Sequence, residues 1–204
     1  MRTLTLRATV AGTAALCALG AGTALSTPAV AAPKAPVPTF LATGDLPPHD
    51  DGWTARPVGQ GLPSPGRFCM DDGVFPDTED TYHRDYQTDR ETNASQVTTT
   101  VSSEEKATEL VKTVRAQLAS CASRWLAENP GATASWDDFG GVEGGHVYGV
   151  HVAPPESAND LHLLGVGRSG KTVTVVAWGE YGTLKDAPVD AFRKTTATAV
   201  TKLG

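Results

Sequence analysis

The first 31 residues place the strongest constraint on how this chain can fold, because they have the three parts of a secretory signal peptide. Two arginines precede an uncharged run rich in Ala, Leu and Val, and Ala29-Val30-Ala31 supplies the small side chains of a cleavage site. A transmembrane anchor is the alternative, but the run contains glycines and ends at Pro28 without a basic stop. We therefore predict a signal peptide at residues 1–31 and a secreted mature chain of about 170 residues, enough for one domain.

Removal of the leader leaves two cysteines, Cys69 and Cys121, because Cys17 lies within it. Outside the cytoplasm such a pair is expected to form one disulfide bond. Free thiols and a metal pair are the alternatives, and two cysteines this far apart in sequence lack the spacing of zinc ligands. We predict a Cys69–Cys121 disulfide and no metal site.

The charge of the mature chain disfavours two classes of partner. The leader carries two of the 17 basic residues and none of the 23 acidic residues, so its loss changes the formal net charge from −6 to −8. Nucleic acids and anionic membrane surfaces bind basic patches, so neither is an expected partner. No second apolar run is long enough to span a bilayer, and no motif indicates a cofactor.

Residues 32–66 are rich in proline and glycine and differ in this respect from the chain that follows. We predict that the start of this segment is a linker and that the remainder packs on the domain, where Cys69 would pin it. The α+β domain itself is predicted to span residues 67–204.

Residues 102–128 form the clearest predicted helix. Ser102 and Glu105 have the spacing of a capping box, and Asn129-Pro130-Gly131 ends the helix. Apolar residues recur at spacings of three and four and include Leu110, Val114, Leu118, Cys121 and Trp125. Cys121 is therefore expected to face the core, where the chain around Cys69 can reach it.

Two hairpins are predicted, because β-branched and aromatic residues stand on either side of turn sequences. The first joins residues 81–87 to residues 94–101. The second joins residues 160–168 to residues 171–180 through a two-residue turn at Ser169-Gly170.

Shorter strands are expected at residues 132–139 and 146–152, and Asp186 is expected to cap a closing helix with Pro188 in its first turn. The connections between the late strands are too short for parallel crossovers. The predicted fold class is α+β, with an antiparallel sheet, a long helix and a C-terminal helix packed on one face, and one disulfide.

The register of the second hairpin predicts a candidate binding surface. A turn at Ser169-Gly170 pairs Leu164 with Val175 on the face that meets the helices. The opposite face carries an apolar group beside glycines, where a ligand could approach closely. The candidate binding residues are Leu161, Leu163, Val176 and Trp178. The alternative is that the proline-rich N-terminal segment covers this face.

Catalytic and metal-binding patterns are weak in this sequence. Five histidines remain in the mature chain, and His83, Asp85 and His151 are the candidates for a small hydrolase. The sequence contains no G-x-S-x-G elbow and no H-x-x-x-H pair. Pairs of adjacent acids such as Asp137-Asp138 lack the spacing of a calcium loop. We predict no catalytic residue and no metal ligand.

Three motifs follow one another along the chain: Phe40-Leu41 with Asp45-Leu46-Pro47, the helix Ala107–Trp125 with its inward Cys121, and the late strand Gly167–Val176. In this order they resemble the small secreted proteins and lipoproteins related to the extracellular sensor domain of actinobacterial PknH-type Ser/Thr kinases. The resemblance implies an α+β domain with a cleft that binds an extracytoplasmic ligand and no catalytic residues. The kinase domain has two disulfides, whereas this sequence can form one.

Together these observations predict a secreted, non-enzymatic ligand-binding or sensor-like domain. The expected partner is an extracellular small molecule or a cell-wall component. Two alternatives stay open at this point. One is the hydrolase that uses the histidines named above, and the other is an extracellular protein-binding or inhibitor module that uses the segment Pro63–Arg67 beside the disulfide.

Overall fold

The computed structural model describes residues 36–64, 66–71, 73–156 and 159–204. The predicted signal peptide, residues 1–31, lies outside the described residues. Within them the chain has an eight-stranded antiparallel sheet, two α-helices and a disulfide between Cys69 and Cys121 whose Cα atoms are 5.2 Å apart. The predicted α+β class and the predicted disulfide are therefore confirmed.

From residue 81 onward the elements follow the order expected from the sequence, and two short strands that were not predicted precede them. The elements are β1 (Thr54–Ala55), β2 (Gly59–Gln60), β3 (Thr81–Gln87), β4 (Asn93–Thr100), α1 (Glu104–Glu128), β5 (Thr133–Val142), β6 (Gly145–Ala153), β7 (Asp160–Ser169), β8 (Thr172–Tyr181) and α2 (Val189–Thr201). The strand order across the sheet is β1-β3-β4-β8-β7-β6-β5, and β2 also pairs with β3. None of the helices in the described ranges is both long and apolar enough to cross a membrane.

The two helices pack on opposite faces of the sheet, so the prediction that both lie on one face is wrong. On one face Leu118 of α1 packs in a cluster with Leu164 and Val175. On the other face Phe192 of α2 packs in a cluster with Leu163 and Val176. Side chains alternate along each strand, and the central strands are apolar on both sides. Both faces of the sheet therefore need a cover.

The register of the second hairpin differs from the prediction by two residues. The turn is at Gly170-Lys171, with φ of +52° at Gly170, and Leu164 lies opposite Ala177 rather than Val175. Glycine adopts a positive φ without steric cost, which favours it at the first position of such a turn. Because the shift is an even number of residues, every side chain stays on its predicted face.

The first residues of both helices also differ from the prediction. The N-cap of α1 is Ser103, whose hydroxyl accepts a hydrogen bond from the backbone N–H of Lys106 at 3.3 Å. Ser102 is its neighbour and an equally good capping residue by type. Asp186 does not cap α2; its carboxylate accepts hydrogen bonds from the backbone N–H and hydroxyl of Thr183 at 2.9 and 2.8 Å.

The N-terminal segment packs on the α2 face of the sheet. Leu41 is completely buried there, its N–H donates to the Gln96 side chain at 2.8 Å, and its carbonyl accepts from the Tyr86 hydroxyl at 2.8 Å. The described residues from Pro36 to Gly204 belong to one compact unit. This segment therefore belongs to the domain from its first described residues.

Candidate ligand-binding site

The apolar face around Trp178 is not open, so the predicted binding surface is wrong. Leu161, Leu163 and Val176 are completely buried and Trp178 is 3% exposed. The cover consists of Phe192 and Ala199 of α2 together with Leu41 and Leu46 of the N-terminal segment. The N-terminal segment therefore covers this face, as the alternative prediction had it, and α2 covers it as well.

The glycines beside this face serve close helix packing. A Cβ atom on Gly165 would collide with the side chain of Thr196, and one on Gly167 would collide with Val200. Both partners belong to α2, which therefore lies almost on the backbone of β7. The close approach that these glycines permit is the approach of a helix rather than that of a ligand.

The candidate hydrolase residues are not brought together. His83 and Asp85 lie on β3 and His151 lies on β6, and β4, β8 and β7 stand between these strands. Four interstrand spacings correspond to about 19 Å. His83 lies opposite Val97, which is part of the core beneath α1, so His83 projects from that face. His151 stands between Val150 and Val152, which belong to the same core, so His151 projects from the other face.

The tightest acid–histidine pair was not predicted as a pair. His146 Nε2 lies 2.6 Å from Asp138 Oδ1, and Arg115 of α1 donates to His146 Nδ1 at 3.1 Å and, through Nε, to the Tyr148 hydroxyl at 3.0 Å. Because an arginine can only donate, Nδ1 of His146 accepts and Nε2 carries the hydrogen. These groups satisfy one another. Among the described residues, no group of three or more His, Cys, Asp or Glu side chains could hold a metal ion.

A polar depression of about 500 Å³ lies at one end of the sheet. Its lining residues are His49, Arg90, Glu91, Thr92, Glu180 and Tyr181. The Thr92 hydroxyl contacts both Glu180 Oε2 and His49 Nε2 at 3.2 Å, and Arg90 pairs with Asp51 at 2.9 Å. The charged and polar side chains here are paired with one another, which leaves little to recognise a ligand.

A second cleft combines apolar walls with one buried cation, and we call it the Arg67 cleft. It has a volume of about 310 Å³ and lies between the chain before the disulfide and the loop that follows it, over β4. Its lining residues are Leu62, Pro63, Ser64, Gly66, Arg67, Met70, Asp71, Phe75, Asp77 and Val97. Phe75 and Val97 form its floor and are almost completely buried.

The disulfide holds the wall of the Arg67 cleft against α1. Besides the Cys69–Cys121 bond, Asp71 receives hydrogen bonds from Gln117 at 2.8 Å and from Arg124 at 3.2 Å. Cys69 itself has φ of +65°, in the left-handed region that a non-glycine residue seldom adopts. The loop conformation is therefore imposed by its attachment to the helix.

The electrostatics of the cleft centre on Arg67. Its Nη2 atom pairs with Asp85 Oδ1, and its side chain is 20% exposed. Its Nε atom is buried and has no hydrogen-bond partner among the described residues. Burial lowers the pKa of the Arg67 guanidinium, and the charge of Asp85 opposes that effect. At the rim, Asp77 Oδ1 accepts from the backbone N–H of Leu62 at 2.9 Å.

Sequence reasoning named part of this site for a different role. Pro63–Arg67 was singled out only as a loop that an inhibitor could present. The floor comes from β4 and from Phe75, and only the tertiary structure brings these residues beneath that loop. The sequence feature that could have indicated this cleft is Arg67, a charged residue two positions before a cysteine that was expected to be buried.

Comparison with known proteins found no matching family model and no similar curated protein. The resemblance to PknH-type sensor domains therefore stays a prediction, and functional inference rests on the geometry of the cleft.

Proposed function

We propose that this chain is a secreted, non-enzymatic binding domain that holds a small apolar or amphiphilic molecule in the Arg67 cleft. The cleft itself, about 310 Å³ with a floor of Phe75 and Val97, is the observation that carries the proposal. An engineered protein cavity of about 150 Å³ binds benzene, so by volume this cleft suits about twelve non-hydrogen atoms.

The apolar lining provides the driving force for such a ligand. Each methylene group that moves from water onto the floor and walls contributes about 0.8 kcal/mol. Four to six methylenes would contribute about 3–5 kcal/mol before the cost of association is subtracted. A gain of this size corresponds to weak binding, with affinities in the millimolar range as the physical expectation.

Secretion and the source of the ligand are part of the same proposal. The predicted signal peptide and the Cys69–Cys121 disulfide support a location outside the cytoplasm, where the ligand is an extracellular small molecule or a fragment of cell-wall material. The resemblance to PknH-type sensor domains supports the same class of function, because it implies a cleft-bearing domain that binds an extracytoplasmic ligand.

The two alternative functions have less support. A hydrolase would need His83 or Asp85 near His151, and these residues lie on distant strands and project from opposite faces. An inhibitor would need to present Arg67 to a protease, whereas its side chain is mostly buried and paired with Asp85.

Fluorescence of the neutral apolar probe 1-naphthylamine, which is within the size that the volume of the cleft allows, tests the proposal. Leu62 lines the cleft, whereas Leu126 is 36% exposed on the outer side of α1. Leu62→Gln is expected to weaken probe binding about tenfold, because it replaces apolar contact by an amide in the cleft wall. Leu126→Gln makes the same chemical change elsewhere and should leave binding unchanged.

Thermal melting of both variants separates lost binding from lost folding. Equal binding by wild type and a folded Leu62→Gln variant would show that the probe does not enter this cleft. A wild-type chain that binds no probe at all would refute the proposed function.

A further inference from the structure

We propose that the Arg67 cleft binds a small cationic amphiphile, whose apolar body lies on the floor and whose primary ammonium group pairs with Asp77. This inference rests on the proposed function and names the charge of its ligand. It depends on two features of the cleft. One is the apolar floor of Phe75 and Val97, and the other is a rim carboxylate that has no cation of its own among the described residues.

The charged side chains that line the cleft leave one negative charge uncompensated. They are one cation and two anions: Arg67, Asp71 and Asp77. Arg67 is paired with Asp85, and Asp71 is paired with Arg124 at 3.2 Å. Because each of these pairs is neutral, the charge that remains at the cleft is that of Asp77. It has the same sign as the net charge of the whole chain.

The carboxylate of Asp77 is held at the cleft and keeps one oxygen for a ligand. Its Oδ1 atom accepts a hydrogen bond at 2.9 Å from the backbone N–H of Leu62, which also lines the cleft. A backbone N–H is neutral, so this bond leaves the charge of the carboxylate in place. In the part of the chain that the structure describes, Oδ2 makes no hydrogen bond or ion pair. An ammonium group can donate a hydrogen bond to that oxygen and compensate the charge.

The sequence around Asp77 strengthens the same preference. Residues 71–80 supply Asp71, Phe75 and Asp77 to the cleft, and they contain five acidic residues and no basic one. A net charge beside apolar walls of low dielectric raises the local concentration of oppositely charged ligands. A ligand carboxylate is repelled by these charges, and it finds the guanidinium of Arg67 already paired with Asp85.

Three probes of similar shape test this selection: 3-phenylpropylammonium, 3-phenylpropan-1-ol and 3-phenylpropanoate. Each has about ten non-hydrogen atoms, which is within the size that the volume of the cleft allows. Each is titrated at pH 7 into the purified, disulfide-bonded chain, and binding is followed by NMR through the backbone amide of Leu62. An exposed ion pair is weak, so we expect the ammonium to bind about threefold more tightly than the alcohol. The alcohol should bind about threefold more tightly than the carboxylate.

One conservative variant and its control test the role of Asp77. Asp77→Asn keeps an oxygen that can accept from Leu62 but removes the rim charge. The ratio of the alcohol and ammonium dissociation constants should then fall from about three to about one. Asp137→Asn removes the same charge from an exposed position on the edge strand β5, whereas the cleft lies over β4, and should leave that ratio unchanged. In the wild-type chain, about 1 M NaCl shortens the Debye length to about 3 Å and should also bring the ratio close to one.

The outcomes separate this inference from the proposed function. If 1-naphthylamine binds but the alcohol or the carboxylate binds as tightly as the ammonium, the charge selection is refuted and the binding function stands. If 1-naphthylamine does not bind, both are refuted. An equal loss of the ammonium preference in Asp137→Asn would refute the pairing with Asp77, because the preference would then follow the net charge of the chain. If Asp77→Asn does not fold, a wild-type preference that persists at high salt refutes the ion pair.

Discussion

Gly167→Ala is expected to destabilise the fold, because β7 has no room for one more carbon atom at this position. A Cβ atom there would collide with Val200 of α2 and would lie 2.7 Å from the carbonyl oxygen of Gly144 and 3.0 Å from Cα of Gly145. Val200 can rotate, but the two backbone contacts can be relieved only if the β5–β6 turn moves. The substitution therefore tests directly how closely α2 lies on the sheet.

The magnitude follows from two opposing effects. Forcing an extra carbon into a packed region costs about 1–3 kcal/mol. Replacing a glycine with alanine also restricts the unfolded chain, which stabilises the folded state by about 0.4–1 kcal/mol where the backbone conformation suits alanine. We expect a net loss of about 1–2 kcal/mol, and a fall in Tm of about 2–8 °C for a domain of this size.

Urea denaturation followed by far-UV circular dichroism measures the loss, and Gly44→Ala is the matched control. Gly44 has open space where its Cβ atom would lie, so its substitution should change stability by less than about 0.5 kcal/mol. Equal stability of the two variants would refute the close seating of α2 on β7. A changed slope with urea would indicate an altered unfolded state rather than a packing effect.

Three further predictions concern the disulfide, the core and the response to acid. Replacing both Cys69 and Cys121 with Ser should lower the free energy of unfolding by about 4 kcal/mol and weaken probe binding, since the cleft wall loses its attachment; unchanged probe binding would contradict that reasoning. Leu41→Ala should cost about 2–5 kcal/mol in urea denaturation, because the side chain is fully buried. Burial lowers the pKa of His162, which stacks on Phe68 with ring centroids 3.9 Å apart, to about 4. The folded state keeps His162 neutral, whereas the unfolded chain takes up a proton below its pKa of about 6.5. The free energy of unfolding therefore falls as the pH drops from about 6.5 through 4, and at pH 4 the loss is about 3 kcal/mol. His162→Phe should lack this part of the pH dependence, so parallel profiles for the variant and the wild type between pH 7 and 4 would contradict it.

The sequence predicted the elements of this fold because their signals are local. The stripe that contains Leu118 and Cys121 recurs with helical period and is buried in α1. The first hairpin begins and ends within one residue of its predicted bounds. The first residue of α1 was predicted two positions early, because Ser102 and Ser103 are adjacent and both are good N-cap residues by type.

The position of the candidate site depended on contacts between distant segments. Leu163 and Val176 form an apolar face by pattern alone, and no pattern tells whether solvent, a ligand or a helix covers it. The Arg67 cleft arises where a loop tied to α1 passes over Val97 of β4. Nothing in the sequence of either segment predicts that the two come into contact.

The sequence alone predicted the signal peptide at residues 1–31, the Cys69–Cys121 disulfide and the alternation of the strands, because these follow from neighbouring residues and from composition. The placement of α2 opposite α1 was decided by tertiary structure, because the central strands are apolar on both sides and each side needs its own cover. That placement closed the surface around Trp178 and left the cleft beside Arg67 open, since burial of apolar area is a property of the assembled layers rather than of any one segment.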